Sequence, residues 1–215
     1  MRSNAMKTCA MGAMLFGGTL GTSAQAALVT WNCNIALDSG NSYGVYVNVS
    51  AQQSTLDDGS GNQPAGTNLY FGLTSSKLAI WSTNPGQMVG VANFLGQPSY
   101  GVAKLAVGTT VGSSLASGTS WGSGGDIFTN AAVPAYKWAQ GGSNLFGFSF
   151  ANASGQLRYA WGEVTLSAGS NVNGTINRIV YDDTGASVTA GVVPAPGAVA
   201  LVGLAGLVGG RRRKA

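Results

Sequence analysis

Between residues 27 and 192 the apolar residues return at every second position, and no stretch keeps a helical repeat over three turns. Alternation of this kind sends successive side chains to opposite faces of an extended strand. The run 29–37 is representative, with Val29, Trp31, Cys33, Ile35 and Leu37 separated by mostly polar residues. The same pattern predicts strands at 43–50, 69–73, 77–81, 88–95, 102–107, 126–129, 145–151, 157–167, 175–181 and 188–192. Clusters of Asp, Asn, Ser and Gly punctuate them at 38–41, 57–62, 84–86, 123–125 and 152–155, where tight or left-handed backbone is tolerated. Sheets with one apolar face need a second sheet to cover them. The expected fold is therefore an all-β sandwich, jelly-roll-like, with a closed barrel as the alternative.

Two of these strands carry further information. In 145–150 Phe146, Phe148 and Phe150 share one face, which is expected to be core, and small residues occupy the other. In 157–164 Tyr159, Trp161 and Glu163 point to one side of a regular strand, placing a charge beside two aromatics.

The chain has 215 residues, enough for one domain with appended addresses, and it contains no histidine. That excludes Ser-His-Asp and Cys-His nucleophiles and the usual zinc sites, since imidazole is the base or ligand in each. The net charge is +4, but Arg2, Lys7, Arg211, Arg212, Arg213 and Lys214 lie in the two tails. Between residues 27 and 192 five cations face seven acids, a net of −2, so a nucleic-acid partner is not expected.

The N-terminus combines cationic residues, the mostly apolar run 8–20 and a small-residue ending, Ala24-Gln25-Ala26. These are the parts of a secretory signal peptide cleaved after Ala26, whether Met1 or Met6 is the start. Cleavage removes Cys9 and leaves Cys33 as the one cysteine, so the mature chain is expected to fold without an internal disulfide, with Cys33 as a buried strand thiol. The expected organisation is a leader at 1–26, a β domain at 27–192 and a tail at 193–215.

The tail begins Val193-Pro194-Ala195-Pro196, continues through an apolar stretch to Val208, and closes with Arg211, Arg212, Arg213 and Lys214. Prolines keep the first part extended, the apolar part can enter a bilayer as a short helix, and the cations resist translocation. The 14 residues 197–210 would form a helix of roughly 21 Å against a hydrocarbon core of about 30 Å, suited to temporary retention. This tripartite ending resembles the PEP-CTERM sorting signals of Gram-negative bacteria, with alanine where the family usually has glutamate. The resemblance implies retention at the inner membrane, cleavage near Val193 to Pro196 by an exosortase, and delivery to the cell surface or an extracellular, polysaccharide-rich matrix. The Gly147-Phe148-Ser149-Phe150 strand, the Tyr159-Ala160-Trp161 strand and the Ala190-Gly191 ending are also similar to a segment that often precedes such tails.

Within the β domain three sets of residues suggest chemistry. Trp121, Tyr136 and Trp138 lie in glycine- or turn-rich surroundings and could stack on sugar rings, against the alternative that they fill the core. Glu163, the one glutamate, could pair with Asp126 or Asp182 for glycoside hydrolysis, against the alternative of an ion pair with Arg158 or Arg178. Asp57, Asp58 and Asn62 could offer oxygens to calcium, against the alternative of a solvated turn. The expectation is a surface or matrix protein, structural or adhesive, with no catalytic residue, metal or cofactor. A carbohydrate-binding module is the alternative, and a hydrolase the more remote one.

Overall fold

A computed structural model describes residues 28–40, 43–74, 76–91, 101–127, 129 and 137–193. The expected leader, with Ala24 and Ala26, lies outside the described residues, as do Tyr136, Pro194, Ala195, Pro196, the apolar tail helix and its terminal cations. The described chain is all-β, without a helix. Its strands are β1 (Leu28–Trp31), β2 (Ile35–Leu37), β3 (Gly44–Asn48), β4 (Gln53–Asp57), β5 (Leu69–Leu73), β6 (Leu78–Ser82), β7 (Gln87–Val91), β8 (Thr110–Val111), β9 (Thr119–Gly122), β10 (Gly124–Asp126), β11 (Ser143–Ala151), β12 (Leu157–Leu166), β13 (Gly174–Asp182) and β14 (Val188–Thr189). One sheet runs β1-β13-β12-β11-β7-β9, with β2 also on β13. A second runs β10-β6-β5-β3-β4, and β8 and β14 form a small ribbon. Every pair of strands is antiparallel.

The two large sheets share one core. Phe146, Phe148 and Phe150 of β11 belong to the same buried cluster as Val45, Val47, Phe71 and Ile80 of the second sheet. Their rings contact in series, with centroids 5.8 Å apart for Phe146–Phe148 and 5.9 Å for Phe148–Phe150, and Phe71 meets Phe146 edge-on at 5.9 Å. Each such ring contributes about 1.5–3 kcal/mol by leaving water.

The other face of the large sheet is also covered. Val89, Leu105, Val111, Trp161, Val180 and Val188 form a second buried cluster there, closed by the β8–β14 ribbon and the chain around residue 105. This explains the small residues of β11. A Cβ on Gly147 would sit 2.8 Å from both Val111 and Val89 and 3.0 Å from Leu105, so the second layer seats directly on bare backbone.

Several predicted boundaries change for physical reasons. The run 29–37 is two strands, because Asn34 adopts a left-handed φ of 48° and the Asn177 carbonyl accepts from both the Cys33 and Asn34 N–H groups. Apolar alternation nonetheless survives the break: Trp31 and Cys33 pack against the main core, and Ile35 and Leu37 lie in it. Cys33 thus sits between strands and is half-buried, its thiol donating to the Ile176 carbonyl at 3.3 Å. The stretch 102–107 makes only isolated bridges, joining β7 through Val102 and β11 through Leu105. β13 departs from regular pairing where Glu163 opposes Arg178 while Val164 opposes Ile176. The extra residue lets Ile176 and Ile179 both face the main core, while Val180 faces the second cluster.

Candidate functional site

The outward face of the second sheet carries an unusual pair of side-chain rows. Inward positions such as Val45, Phe71 and Ile80 fill the core, so the residues between them must point away from it. Reading across β4, β3, β5, β6 and β10, one outward row is Asp57, Gly44, Gly72, Ala79 and Asp126. The adjacent row is Thr55, Tyr46, Tyr70, Trp81 and Gly124. A floor of small residues with a carboxylate at either end therefore runs beside a wall of three aromatics. The result is an open trough of about 540 Å³, bordered by Tyr43, Asp57, Tyr70, Lys77, Trp81 and Asp126.

Glycine makes this arrangement possible. Tyr70 leans out of its own row over the floor, and a Cβ on Gly44 would lie 2.6 Å from its ring, one on Gly72 3.1 Å. The lean brings its hydroxyl to Asp57, donating to Oδ2 at 2.7 Å, while Tyr46 stacks on the ring with centroids 4.7 Å apart. Asp57 is buried, and its other oxygen accepts the Gly59 N–H at 2.9 Å. Burial, reinforced by the adjacent Asp57 carboxylate, pushes the Tyr70 and Tyr46 phenols above the ordinary tyrosine range. At the mouth Tyr43 is 65% exposed and covers Gly59, whose φ of +80° and missing Cβ leave room for the ring. Trp81 is 38% exposed. At the far end Lys77 pairs with Asp126 at 3.1 Å.

The aromatics singled out from sequence lie elsewhere. Trp138 is completely buried in the inter-sheet core, its indole N–H donating to the Val102 carbonyl at 3.2 Å, so it has no face to offer a sugar. It is held there by buried Asn144, whose side chain accepts the Ala139 N–H at 2.6 Å and donates to the Ala139 and Gly142 carbonyls. Trp121 is half-buried on β9, stacked on Tyr159 at 5.9 Å against the second cluster. The two tryptophans therefore belong to opposite faces of the large sheet and form no common surface. The signal for the trough is present in the sequence, in Tyr70 between Leu69 and Phe71: an aromatic on the face opposite a fully apolar one.

The other candidates separate in the same way. Tyr159, Trp161 and Glu163 do share the outer face of the large sheet, and Glu163 pairs with Arg178 at 2.7 Å and accepts the Ser143 hydroxyl. A cavity of about 510 Å³ lies beside that pair, where Gly191 and Val193 leave the fold. Asp126 is on the other sheet, and Asp182 is buried as a turn cap accepting from the Thr184 and Ala186 N–H groups, so neither opposes Glu163 across a cleft. Asp57 and Asp58 each accept from the N–H two residues on, at Gly59 and Ser60, and the Ser60 hydroxyl, followed by its N–H, holds the Asp58 carboxyl below its usual range. Burial raises the Cys33 thiol. Compared with known proteins, the chain matches no family model, no curated protein and no solved structure.

Proposed function

We propose that this is an exported protein of the cell surface or extracellular matrix, structural or adhesive in role, whose β domain holds polysaccharide in the trough of its smaller sheet. The observation that carries the binding reading is that Tyr43, Tyr70 and Trp81 border the trough beside a floor of glycine and alanine, with buried Tyr46 backing the Tyr70 ring. A pyranose ring has a flat C–H face, and an exposed aromatic next to small neighbours gives that face a platform without steric obstruction. In the proposed architecture hairpins and the β11-β12-β13 meander build the sandwich, in place of jelly-roll wrapping, because these strands are neighbours both in sequence and in the sheet.

Export and sorting rest on the sequence. The leader ending at Ala26 would be removed, the tail would be retained briefly at the inner membrane, and an exosortase-type enzyme would cut near Val193 to Pro196. Val193, the last described residue, is exposed, which suits a cut at or beyond it. Mass spectrometry of the protein recovered from its host is expected to find Ala27 first and a last residue between Val193 and Pro196; intact ends would reject the sorting reading.

The domain is proposed to bind without catalysis. Hydrolysis of a glycosidic bond needs two carboxyls about 5–9.5 Å apart. In the trough Asp57 and Asp126 stand on strands four spacings apart, roughly 19 Å between backbones. Affinity electrophoresis through gels containing matrix polysaccharide tests the binding reading. The wild type is expected to be retarded, Trp121→Ala equally so, and Trp81→Ala to run as in a gel without polysaccharide. Equal mobility of wild type and Trp81→Ala in every gel would refute it.

A further inference from the structure

The charges around the trough narrow the ligand further. Asp57 has two hydrogen bonds, from Tyr70 and Gly59, and no ion pair with a lysine or arginine among the described residues. At the other end Asp126 has Lys77, the one cation bordering the trough among the described residues, and that pair is solvent-exposed enough for Lys77 to be exchanged for another ammonium. Two of the described arginines are engaged elsewhere: Arg178 with Glu163 on the large sheet, and Arg158 with Gln156 and the Leu157 carbonyl. Asp57 and Asp126 against Lys77 leave the border of the trough at −1.

We infer that the trough selects saccharide chains bearing free, protonated amines over their N-acetylated and acidic counterparts. The inference rests on the carbohydrate-binding reading and adds a sign to it. An acidic sugar would meet like charge at both ends of the floor, and a neutral one would gain the aromatic wall alone. An amino sugar gains the wall, attraction from carboxylates at either end, and the negative faces of Trp81 and Tyr43 for its ammonium groups. The roughly 19 Å between the end carboxylates' strands suits an oligosaccharide spanning both, in preference to a single ring.

Isothermal titration of the purified full chain, at low salt and mildly acid pH, with a glucosamine oligomer, its N-acetylated equivalent and an oligogalacturonate separates the possibilities. The glucosamine oligomer is expected to bind about tenfold more tightly than the N-acetylated one. That gap should close in high salt and narrow in Asp126→Asn, whose unchanged melting temperature would report an intact fold. Oligogalacturonate is expected to give no heat. Equal binding of the first two ligands, lost in Trp81→Ala, would overturn amine selection while leaving the sugar site standing. Glucosamine binding that Trp81→Ala leaves unchanged would mean charge adsorption outside the trough, and would also overturn the inference. Silence from all three ligands would remove the carbohydrate reading itself.

Discussion

Tryptophans 81 and 138 show how little residue type says about duty. Trp138 is sealed between the sheets with its N–H satisfied, whereas Trp81 stands on an outward row. Truncating them should therefore have unequal consequences. Trp138→Ala is expected to cost about 3–5 kcal/mol of stability, as a large buried ring leaves a cavity, whereas Trp81→Ala, at a partly exposed outward position, should cost clearly less, about 1–2 kcal/mol. Urea denaturation of both variants measures this directly, and similar midpoints would contradict the burial difference. Gly147 gives the complementary case. Adding one methyl to its face must displace Val89, Val111 and Leu105 together, so Gly147→Ala is expected to lose about 1–3 kcal/mol although alanine suits a strand better than glycine does. Of the two readings open for Trp121 and Trp138, Trp138 takes the core one, because glycine-rich surroundings signal turns, and a turn can tuck its aromatic inward as readily as present it.

At the scale of elements, alternation located most strands because the inter-sheet core imposes it. β5 agrees with its predicted limits at 69–73, and β6, β11, β12 and β13 agree within two residues at either end. The failures have a common cause. β4 reads Gln-Ser-Thr-Leu-Asp, with four exposed residues, because an edge strand lying beyond the core needs backbone pairing and no apolar face. β8 is a two-residue pairing that no local periodicity announces, fixed by the layer above the large sheet, and its partner β14 keeps only the first two residues of the strand predicted at 188–192. The trough was equally hidden. Its residues come from five strands, and only the register aligns them, although the outward placement of Tyr70 was legible from its neighbours. The loop joining β3 to β4 offers an element-level test. Gln52 closes a turn by donating its N–H to the Val49 carbonyl, holds a φ of 54°, and exposes its side chain. A left-handed conformation strains any residue with a Cβ by about 1–2 kcal/mol, and glycine's greater freedom in the unfolded chain returns part of the gain. Gln52→Gly is expected to stabilise the protein by roughly 0.5 kcal/mol. A decrease in the urea midpoint would show that the turn is held by something other than this strain.

For the molecule as a whole, the trough couples its floor to the stability of the fold through protons. Tyr46 and Tyr70 have folded pKa values raised above their unfolded value, first by burial and then by Asp57. Below about pH 10 both phenols are protonated whether the chain is folded or not, and their contribution is fully present. Above about pH 10 the unfolded chain releases these protons while the folded chain still holds them. The unfolded state then binds fewer protons, so folding stability must fall as pH rises toward and through the folded values. Other phenols and lysines titrate in the same range, so the comparison has to be differential. In Tyr70→Phe the hydrogen bond to Asp57 is lost at every pH, which lowers the whole stability curve, but one of the two shifted protons is also gone. Urea midpoints taken between pH 8 and pH 11 should therefore decline less steeply for Tyr70→Phe than for the wild type, and the two curves should converge at the alkaline end. Curves that stay parallel would mean that the Tyr70 phenol loses its proton as easily in the folded protein as in the unfolded chain. That would contradict the lean over Gly44 and Gly72 that brings its hydroxyl to Asp57.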